Sequence, residues 1–360
     1  MGGPAPRHTR VDLPPTDFRS GLERMGLLRP GQALDLEPLS GGVSSDIVRA
    51  RWPGGEACVK RALAQLRVQA DWRAPVERNR WEVAWMRLAA AVEPDAVPAV
   101  LGDDPEGGMF AMAWLDPERH PVWKTRLRDG HLAPATARGV GARLARIHTA
   151  AAADPTVPLR FETSHIFHAI RLEPYLLATA RVHTDLADML EGLAHTTATT
   201  RLTLVHGDVS PKNILEGPRG PVFLDAECAW HGDPAFDLAF CLNHLLLKCL
   251  WRPAWREGYL ELFGTLADAY LDGVGWEGRE GLEARTARLL PGLLLARVDG
   301  KSPVEYLDTG AARACVREAA RTLLRHPVAR LGAVAGHWRA ALHAHLGPSD
   351  PIPHPEETPP

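Results

Sequence analysis

Several features that mark large classes of protein are missing from this chain of 360 residues. No apolar run reaches the roughly 18–20 residues that a membrane-spanning helix needs, and no segment near the amino terminus is typical of a secretory signal. The net charge of −3 provides no basic surface for a nucleic acid or an anionic membrane. We therefore expect a cytoplasmic protein without nucleic-acid or membrane partners.

Cysteine is scarce and unpaired in the sequence. The five cysteines form no Cys-x-x-Cys motif and lie in apolar segments. This pattern predicts buried thiols of an intracellular protein and argues against a disulfide framework or a zinc site. The residues concerned are Cys58, Cys228, Cys241, Cys249 and Cys315.

What is present is the composition of an ordinary globular protein. Hydrophobic residues make up 45% and charged residues 24% of the chain. The length is sufficient for one large or two medium domains with a sizeable core. Only the two ends differ, because residues 1–17 and 347–360 are rich in proline and lack an apolar period. Both ends are predicted to be flexible.

The most informative stretch runs from His206 to Asn213 and has the sequence His-Gly-Asp-Val-Ser-Pro-Lys-Asn. It follows an apolar, β-prone run at 202–205, and a second such run at 222–224 leads into Asp-Ala-Glu. The Gly- and Pro-rich residues 216–221 between the runs predict a turn. The two runs are therefore predicted to pair as a hairpin.

Such a hairpin would gather four oxygen-bearing side chains from its two ends. Carboxylate and amide oxygens are the hard ligands that Mg²⁺ prefers, in combination with phosphate oxygens and water. Because these side chains abut apolar strands instead of a charged surface, we interpret them as a functional site. The set consists of Asp208, Asn213, Asp225 and Glu227.

The spacing of this motif resembles the catalytic loop of protein kinases, where an Asp precedes an Asn by five residues and a second Asp follows a hairpin. Here His-Gly-Asp stands where protein kinases have His-Arg-Asp, and Asp-Ala-Glu stands where they have Asp-Phe-Gly. In both respects the chain resembles the aminoglycoside phosphotransferase and choline kinase-like family. The Asp-x-Glu form is similar to that of methylthioribose kinases. The resemblance extends over about residues 18–346.

This resemblance implies an α+β, two-lobed, protein-kinase-like fold. The amino-terminal lobe would be small and β-rich with one main helix, and the carboxy-terminal lobe larger and mostly helical. The implied activity is ATP-dependent transfer of the γ-phosphate to a hydroxyl of a small molecule, with Mg²⁺ as the cofactor and ATP as the co-substrate. A sugar derivative, an aminoglycoside or an amino-alcohol would be the acceptor.

The order of predicted elements agrees with this fold. A helix with an apolar stripe at 81–92 follows the third predicted strand, and mainly helical patterns begin at Asp116. We therefore predict a nucleotide-binding lobe at 18–115 and a catalytic and acceptor-binding lobe at 116–346. The predicted strands are 34–39, 46–52, 57–60, 97–101 and 108–115.

On the nucleotide side, the informative residue is Lys60 at the end of an apolar strand. A lysine in such a strand costs desolvation unless its ammonium group meets an anion. In the kinase fold, a lysine at this position binds nucleotide phosphates and pairs with a glutamate on a helix. Glu82 is the predicted partner, and Glu77, one turn earlier, is the alternative.

Two backbone segments are expected to complete the nucleotide site. The loop with Ser40, Gly41 and Gly42 permits a tight turn whose N–H groups face phosphate oxygens. The resemblance further implies that the segment from Ala113 to Leu115 forms the hinge that binds adenine.

On the catalytic side, the resemblance implies a role for each residue of the motif. Asp208 would orient the acceptor hydroxyl and accept its proton. Lys212 would offset charge on the transferring phosphoryl group. Asn213, Asp225 and Glu227 would bind the metal.

The resemblance further implies that two other residues support this loop. His206 would pack and form hydrogen bonds behind the loop, so we do not assign it as the base. Asp237 begins a long apolar run and would accept hydrogen bonds from backbone N–H groups of the loop.

The acceptor site is predicted from charges at the end of an apolar helix. Arg297, Asp299 and Lys301 lie around Gly300, where the helix is expected to stop. A solvated helix end is the alternative. A second polar and aromatic cluster near the cleft would consist of His165, His168, Arg171 and Tyr175.

Two other classes of function stay open at this point. One is a catalytically idle, kinase-like protein that binds nucleotide and acts through a partner. The other is a hydrolase that holds a transition metal with His206, Asp208, Asp225 and Glu227. Tightly held zinc or iron would favour the hydrolase.

Overall fold

The computed structural model describes residues 15–39, 45–63 and 77–347. These residues form a small lobe on a five-stranded antiparallel sheet and a larger, mostly helical lobe. The predicted α+β class with a β-rich first lobe is thereby confirmed. Most of the two ends that were predicted to be flexible, 1–14 and 348–360, lies outside the described residues.

The sheet of the amino-terminal lobe has the strand order β1-β2-β3-β5-β4. Side chains alternate along β3, so Ala57 and Val59 pack with Phe18 on one face. Cys58 packs on the opposite face, and Lys60 follows it there two residues later. The strands are β1 (Asp35–Pro38), β2 (Ser45–Trp52), β3 (Gly55–Ala62), β4 (Val100–Asp104) and β5 (Met109–Met112).

Among the described residues of this lobe, two helices are present, α1 (Pro15–Arg24) and α2 (Arg78–Val92). The predicted stripe of α2 is rotated in the structure, since Glu82 and Trp85 are buried while Trp81 is only half-buried. The rotation follows from contacts of α2 with both lobes, because Trp85 packs edge-on against His206 with ring centroids 4.7 Å apart. This packing presents Glu82 to the sheet.

The carboxy-terminal lobe is organised around the buried helix α9 (Ala235–Trp251), in which every residue from Ala235 to Leu250 is buried. The apolar run predicted there explains this position. The other helices are α3 (Trp123–Arg128), α4 (Pro134–Ala153), α5 (Val157–Arg160), α6 (Ser164–Phe167), α7 (Ala178–Val182), α8 (Ala187–Thr199), α10 (Arg256–Leu271), α11 (Arg279–Asp299), α12 (Gly310–Arg325) and α13 (Leu331–Leu346). A π-helical segment, His168–Leu177, connects α6 and α7.

The predicted hairpin was wrong in its first strand. β8 (Gly220–Phe223) pairs with β7 (Ile214–Gly217), whereas β6 (Thr203–Val205) pairs with β9 (Trp230–Gly232). The reason is that Gly220, with φ +108°, closes a tight turn directly after β7, while β6 leads into the His-Gly-Asp loop instead.

The two halves of the motif nevertheless meet. The N–H of Leu224 donates to the carbonyl of Asn213 at 2.9 Å, which continues the β7–β8 pairing beyond the strand ends. Asp225 therefore follows directly beside the loop that carries Asp208. The expected oxygen ligands are therefore still brought together, but by the pairing of β8 with β7 and not with β6.

Two predicted properties of the chain can be compared with the described residues. All five cysteines are free and buried, as expected. Among the described helices, none has the length and apolarity needed to cross a bilayer.

Candidate active site

A cavity of about 670 Å³ lies between the two lobes and contains most of the predicted site. Its walls come from β3 and α2 on one side and from the motif loop and β8 on the other. The predicted residues that line it are Lys60, Glu82, Ala113, Leu115, Asp208, Lys212, Asn213, Asp225 and Glu227.

Lys60 connects the two lobes through its ammonium group. Nζ donates to Oε2 of Glu82 at 2.7 Å and also to Oδ1 of Asp225. Glu77, the alternative partner, instead lies 3.4 Å from Nε2 of His165. The structure therefore pairs Lys60 with Glu82, the partner that the sequence favoured.

Burial and mutual attraction set the protonation of this triad, Lys60, Glu82 and Asp225. Burial opposes the charge of Lys60, yet Asp225 and Glu82 hold its pKa above the ordinary value. Burial raises the pKa of Glu82 to about 7, because Lys60 only partly offsets it. Burial also works against the charge of Asp225, but Lys60 and Lys212 keep its pKa below the usual range. Asp225 is thus the carboxylate that keeps its charge.

Asp225 has an unusual backbone conformation, with φ +70°. The left-handed region costs a non-glycine residue roughly 1 kcal/mol or more. In exchange, the chain turns sharply after β8, and the carboxylate lies on the cavity wall beside Lys60. The strained position coincides with the point where the two lobes meet.

Asp208 is buried at 4% exposure, and two cations lie next to it. Its Oδ2 is 2.9 Å from Nη2 of Arg171 and 3.4 Å from Nζ of Lys212. Arg171 also donates from Nε to the carbonyl of Gly207, so it binds both the backbone and the side chain of the loop. The pKa of Lys212 is raised, chiefly by Asp208.

Asp237, at the start of α9, holds the backbone of the motif loop. Its two carboxylate oxygens accept hydrogen bonds from the N–H groups of His206 and Gly207, each at 2.7 Å. Gly207 has φ +79°, and a Cβ there would lie 2.8 Å from Sγ of Cys228. The predicted supporting role of Asp237 agrees with these contacts.

His206 uses both ring nitrogens within the protein. Nδ1 lies 3.1 Å from the N–H of Asp208, and Nε2 lies 3.1 Å from the carbonyl of Leu224, so Nδ1 accepts and Nε2 donates. Burial lowers the pKa of His206, which keeps the ring neutral. A ring with both nitrogens engaged does not bind a metal, which removes one ligand from the hydrolase hypothesis.

The oxygens predicted to bind a metal remain directed at the cavity. Asn213 donates from Nδ2 to the carbonyl of Asp208 at 3.1 Å, which leaves its amide oxygen available. Glu227 accepts from Nε of Arg78 at 3.0 Å through one oxygen. Within the described ranges, no group of three or more His, Cys, Asp or Glu is arranged to hold a metal. Such a partial set fits Mg²⁺, which completes its shell with phosphate oxygens and water.

The predicted hinge lies on the cavity wall. Ala113 donates its N–H to the carbonyl of Ala99 at 2.8 Å, so this donor is used within the lobe. The predicted phosphate loop of Ser40, Gly41 and Gly42 lies outside the described residues.

The predicted acceptor residues Asp299, the last residue of α11, and Lys301 are not brought into the cavity. Asp299 accepts from Arg317 at 2.6 Å and lies 2.8 Å from His183, and Lys301 donates to Glu173 at 2.8 Å. Their charges therefore join neighbouring elements of the helical lobe, and only Ser302 of this segment is a lining residue.

Arg297 is buried behind the cavity instead. Its Nη1 donates to the hydroxyl of Tyr175 at 3.2 Å and to Oγ of Ser302 at 2.9 Å, and both of these partners line the cavity. In the second predicted cluster, Arg171 and Tyr175 line the cavity, whereas His165 is exposed beside Glu77.

Sequence reasoning missed two contributions to this region. Arg78 supports Glu227 from α2, and no signal in the sequence distinguishes it from a surface arginine. Lys248 is completely buried in α9. It had the same signal as Lys60, a single lysine within an apolar run, so the same desolvation argument predicts it.

Taken together, the fold and the cavity define a two-lobed, protein-kinase-like protein with a lysine and several carboxylates between its lobes. The chain belongs to the phosphotransferase enzyme family (APH), whose model matches residues 35–282. The predicted family is confirmed.

A curated relative is the methylthioribose kinase of Escherichia coli O45:K1 (strain S88 / ExPEC). It is 26% identical over 226 residues, which cover 55% of this chain and 54% of the relative. The chain thus matches about half the length of this relative.

Solved structures of kinases share the fold at low sequence identity. An amicoumacin kinase in complex with AMP-PNP and Ca²⁺ has a TM-score of 0.52 and 13% identity, covering 86% of this chain and 94% of that chain. An ethanolamine kinase of Plasmodium vivax has a TM-score of 0.51 and 13% identity, covering 85% and 88%. These similarities confirm the predicted protein-kinase-like fold.

Proposed function

We propose that this protein is an ATP-dependent O-phosphotransferase that moves the γ-phosphate of ATP to a hydroxyl of a small molecule. The observation that carries the proposal is the link of Lys60 to both Glu82 and Asp225 in the same cavity as Asp208. A lysine held by two carboxylates supports a phosphate-binding role, because its ammonium is fixed and charged where the lobes meet.

In this proposal, nucleotide binds between the lobes, taken as 18–115 and 116–346. Lys60 binds its phosphates, and the N–H groups of the loop at Ser40, Gly41 and Gly42 supply further donors. Adenine binds the hinge through the carbonyl of Ala113 and the N–H of Leu115, since the N–H of Ala113 already donates to Ala99.

Asn213 and Asp225 would hold Mg²⁺, and Glu227 would complete its shell directly or through water. When bound, Mg²⁺ neutralises the negative charge of the β- and γ-phosphates. The residual oxygens of this set face the cavity, which supports the assignment. ATP and Mg²⁺ are both abundant in the cytoplasm, where we place the protein.

Asp208 is the proposed base. The acceptor oxygen forms a bond to the γ-phosphorus, the bond from that phosphorus to the β–γ bridging oxygen breaks, and the acceptor proton passes to Asp208. Arg171 positions the carboxylate through its contacts with Oδ2 and with Gly207. Lys212 offsets charge on the transferring group, which supports transfer by electrostatic stabilisation.

The acceptor is taken to be a sugar derivative, an aminoglycoside or an amino-alcohol. A kinase-like protein that only binds nucleotide and acts through a partner is the alternative. The intact set of Lys60, Asp208, Asn213 and Asp225 supports catalysis instead.

Replacement of the base tests the proposal. Asp208→Ala is expected to lower kcat by about 10²–10⁴-fold, the usual contribution of a positioned base, while circular dichroism and ATP affinity stay unchanged. ADP release over a panel of sugars, aminoglycosides and amino-alcohols provides the assay. Asp188→Ala, at an exposed position of α8, is the matched control and should retain full activity. Near-wild-type turnover of Asp208→Ala on the best acceptor would show that another group is the base.

A further inference from the structure

The carboxy-terminal side of the cavity has more basic than acidic side chains. Arg171 is matched by Asp208, at 2.9 Å, and Lys124 is matched by Glu305. Lys212 shares Asp208 with Arg171, at 3.4 Å, whereas Lys248 and Arg297 form no ion pair with an acid among the described residues. The five cations are Lys124, Arg171, Lys212, Lys248 and Arg297. The four acids are Asp208, Asp225, Glu227 and Glu305, of which Asp225 is bound by Lys60 and Glu227 by Arg78.

Lys248 and Arg297 are buried without a carboxylate partner in the described part of the chain. Lys248 is 0% exposed, and its Nζ has no hydrogen-bond partner among these residues. Nε of Arg297 is likewise unpaired. An unpaired buried charge costs several kcal/mol in general, so two of them at one place require an explanation.

Both residues connect to side chains of the cavity wall. Two ammonium groups lie near the ring of Tyr306, with Lys248 Nζ 5.0 Å and Lys124 Nζ 5.7 Å from its centroid. Lys124 lines the cavity, as do Tyr175 and Ser302, the partners of Arg297. A ligand that contacts these lining residues therefore lies in the field of both buried cations.

The hydroxyl of Tyr306 is also buried without a partner among the described residues. Three unpaired donors, on Lys248, Arg297 and Tyr306, thus cluster behind the same wall. Buried polar groups in proteins are normally hydrogen-bonded, and exceptions occur where a ligand supplies the partner.

On the basis of the phosphotransferase function proposed above, we propose that the acceptor carries an anionic group, a carboxylate or a phosphate. The group docks beside Tyr306 against Lys124, in the field of Lys248 and Arg297. The acceptor hydroxyl then extends towards Asp208. The anion supplies the counter-charge that the fold leaves out.

This charge pattern also disfavours other acceptors. A polycationic acceptor would meet Lys124, Arg171 and Lys212 on the wall, and like charges repel strongly in an enclosed cavity. A neutral polyol would leave the charge of Lys248 without compensation. Only an anion improves the electrostatics of this end of the cavity.

Proton uptake by Lys248 on ligand binding can be measured, and a lysine with a purely structural role would not show it. Burial, with Lys124, lowers the pKa of Lys248 to about 7, against the attraction of Glu305 and with a further lowering by Arg297. Cys241 is the remaining titratable neighbour. A bound anion favours the charged ammonium. Binding at pH 7 to 8 is therefore expected to take up a proton.

The test compares acceptors that differ in one group only. Calorimetry with the full chain and a non-hydrolysable Mg–ATP analogue would measure the affinity of a neutral hexose, its uronic acid, its phosphate and its amino derivative. Buffers of different ionisation enthalpy would report proton uptake. We expect the uronic acid or the hexose phosphate to bind at least about tenfold more tightly than the other probes, as one charge-assisted contact provides.

Variants identify the residues that hold the anion. Lys248→Met and Lys124→Met are each expected to weaken binding of the preferred anionic probe by about tenfold, and Lys248→Met should abolish proton uptake. Lys301→Met removes an exposed lysine paired with Glu173 and serves as the matched control, with affinity unchanged. The uronic acid and the hexose phosphate arms distinguish the carboxylate from the phosphate.

Equal or tighter binding of the neutral or the amino hexose would overturn the inference, as would absence of anion binding or anion affinity unaffected by Lys248→Met. The outcomes for the two proposals are separable. Phosphorylation of a neutral acceptor with rejection of anions would leave the phosphotransferase function standing. Anion binding that depends on Lys248 without ADP release on any acceptor would instead contradict the phosphotransferase function.

Discussion

Lys60 and Lys248 are both buried lysines, one in each lobe. The charge of Lys60 is compensated by two carboxylates, whereas that of Lys248 is not. Lys60 is 2% exposed and donates to Glu82 and Asp225, so its pKa is raised above the ordinary value. Lys248 is 0% exposed, has no acidic partner in the described residues, and has its pKa lowered by burial to about 7.

The difference separates two kinds of buried charge. The ion pairs of Lys60 fix the geometry between β3, α2 and the segment after β8 before any ligand binds. Lys248 lies instead against the rings of Trp251 and Tyr306, which compensate an ammonium group only in part. The charges around Lys60 are therefore balanced within the protein, whereas the charge of Lys248 requires a counter-charge from a ligand.

The largest effect that tests this comparison is expected from Lys60→Met. Removal of one member of a buried ion pair typically destabilises a protein by about 3–5 kcal/mol, because the other charge stays buried. Glu82 and Asp225 would lose the ammonium group that lies between them, so urea unfolding should show a loss of this size. Mg–ATP affinity should fall by about tenfold to 100-fold.

Lys301→Met is the control for this experiment, since it removes an exposed lysine whose pair with Glu173 contributes at most about 1 kcal/mol. A Lys60→Met protein as stable as wild type, with unchanged ATP affinity, would mean that the ion pairs of Lys60 contribute neither to the free energy of unfolding nor to nucleotide binding.

The next largest effect, of opposite sign, is expected from Lys248→Met. The methionine keeps most of the volume and removes an unpaired charge, so the free energy of unfolding at pH 7 should rise by about 2–4 kcal/mol. Chemical denaturation of both proteins measures this difference.

The advantage of Lys248→Met should depend on pH. The folded pKa of Lys248 is about 7 and its ordinary value is 10.5. Between these values the unfolded wild-type chain binds a proton that the folded chain lacks, so wild-type stability rises with pH. The advantage of the variant should therefore shrink by about 1.4 kcal/mol per pH unit between pH 7 and 9. A constant difference across this window would show that Lys248 keeps its proton when folded.

The smallest effect is expected from Glu305→Gln, which removes the acid beside Lys124. The pair is largely exposed, so stability should change by less than about 1 kcal/mol. The end of the cavity becomes more cationic, and an anionic probe should bind about twofold to fivefold more tightly at low salt. Glu173→Gln, which affects Lys301 and Arg181, is the control. Weaker binding of the anion by Glu305→Gln would contradict the inference that the electrostatic potential at this end of the cavity is positive.

Much of the site was predictable, because its residues are close in sequence or constrained by burial. Asp208 and Asn213 share one loop, and their spacing is a local property of the chain. Lys60 was predicted from the cost of a charge in an apolar strand, and Asp237 from the resemblance of its segment, 233–239, to the family. The hairpin failed because two apolar runs flanking a turn do not specify which neighbouring strand each one pairs with.

The charges at the end of α11 illustrate the other limit. Three charged residues are close in sequence here, Arg297, Asp299 and Lys301. The end of the helix was predicted correctly, since α11 ends at Asp299. The partners Arg317, His183 and Glu173 come from other elements, and no local pattern indicates which charge they attract. Burial of Arg297 and exposure of Lys301 follow from packing alone.

The sequence by itself determined the class of fold, the family and the order of chemical groups along the motif, because these depend on short-range spacing and apolar periodicity. The tertiary structure alone decided which charges are paired. Ion pairing requires two side chains to meet within a few ångströms, and the partners here are separated by as many as 165 positions for Lys60 and Asp225 and 181 for Lys124 and Glu305. The same packing left Lys248 without a partner, a fact that only the assembled lobe reveals.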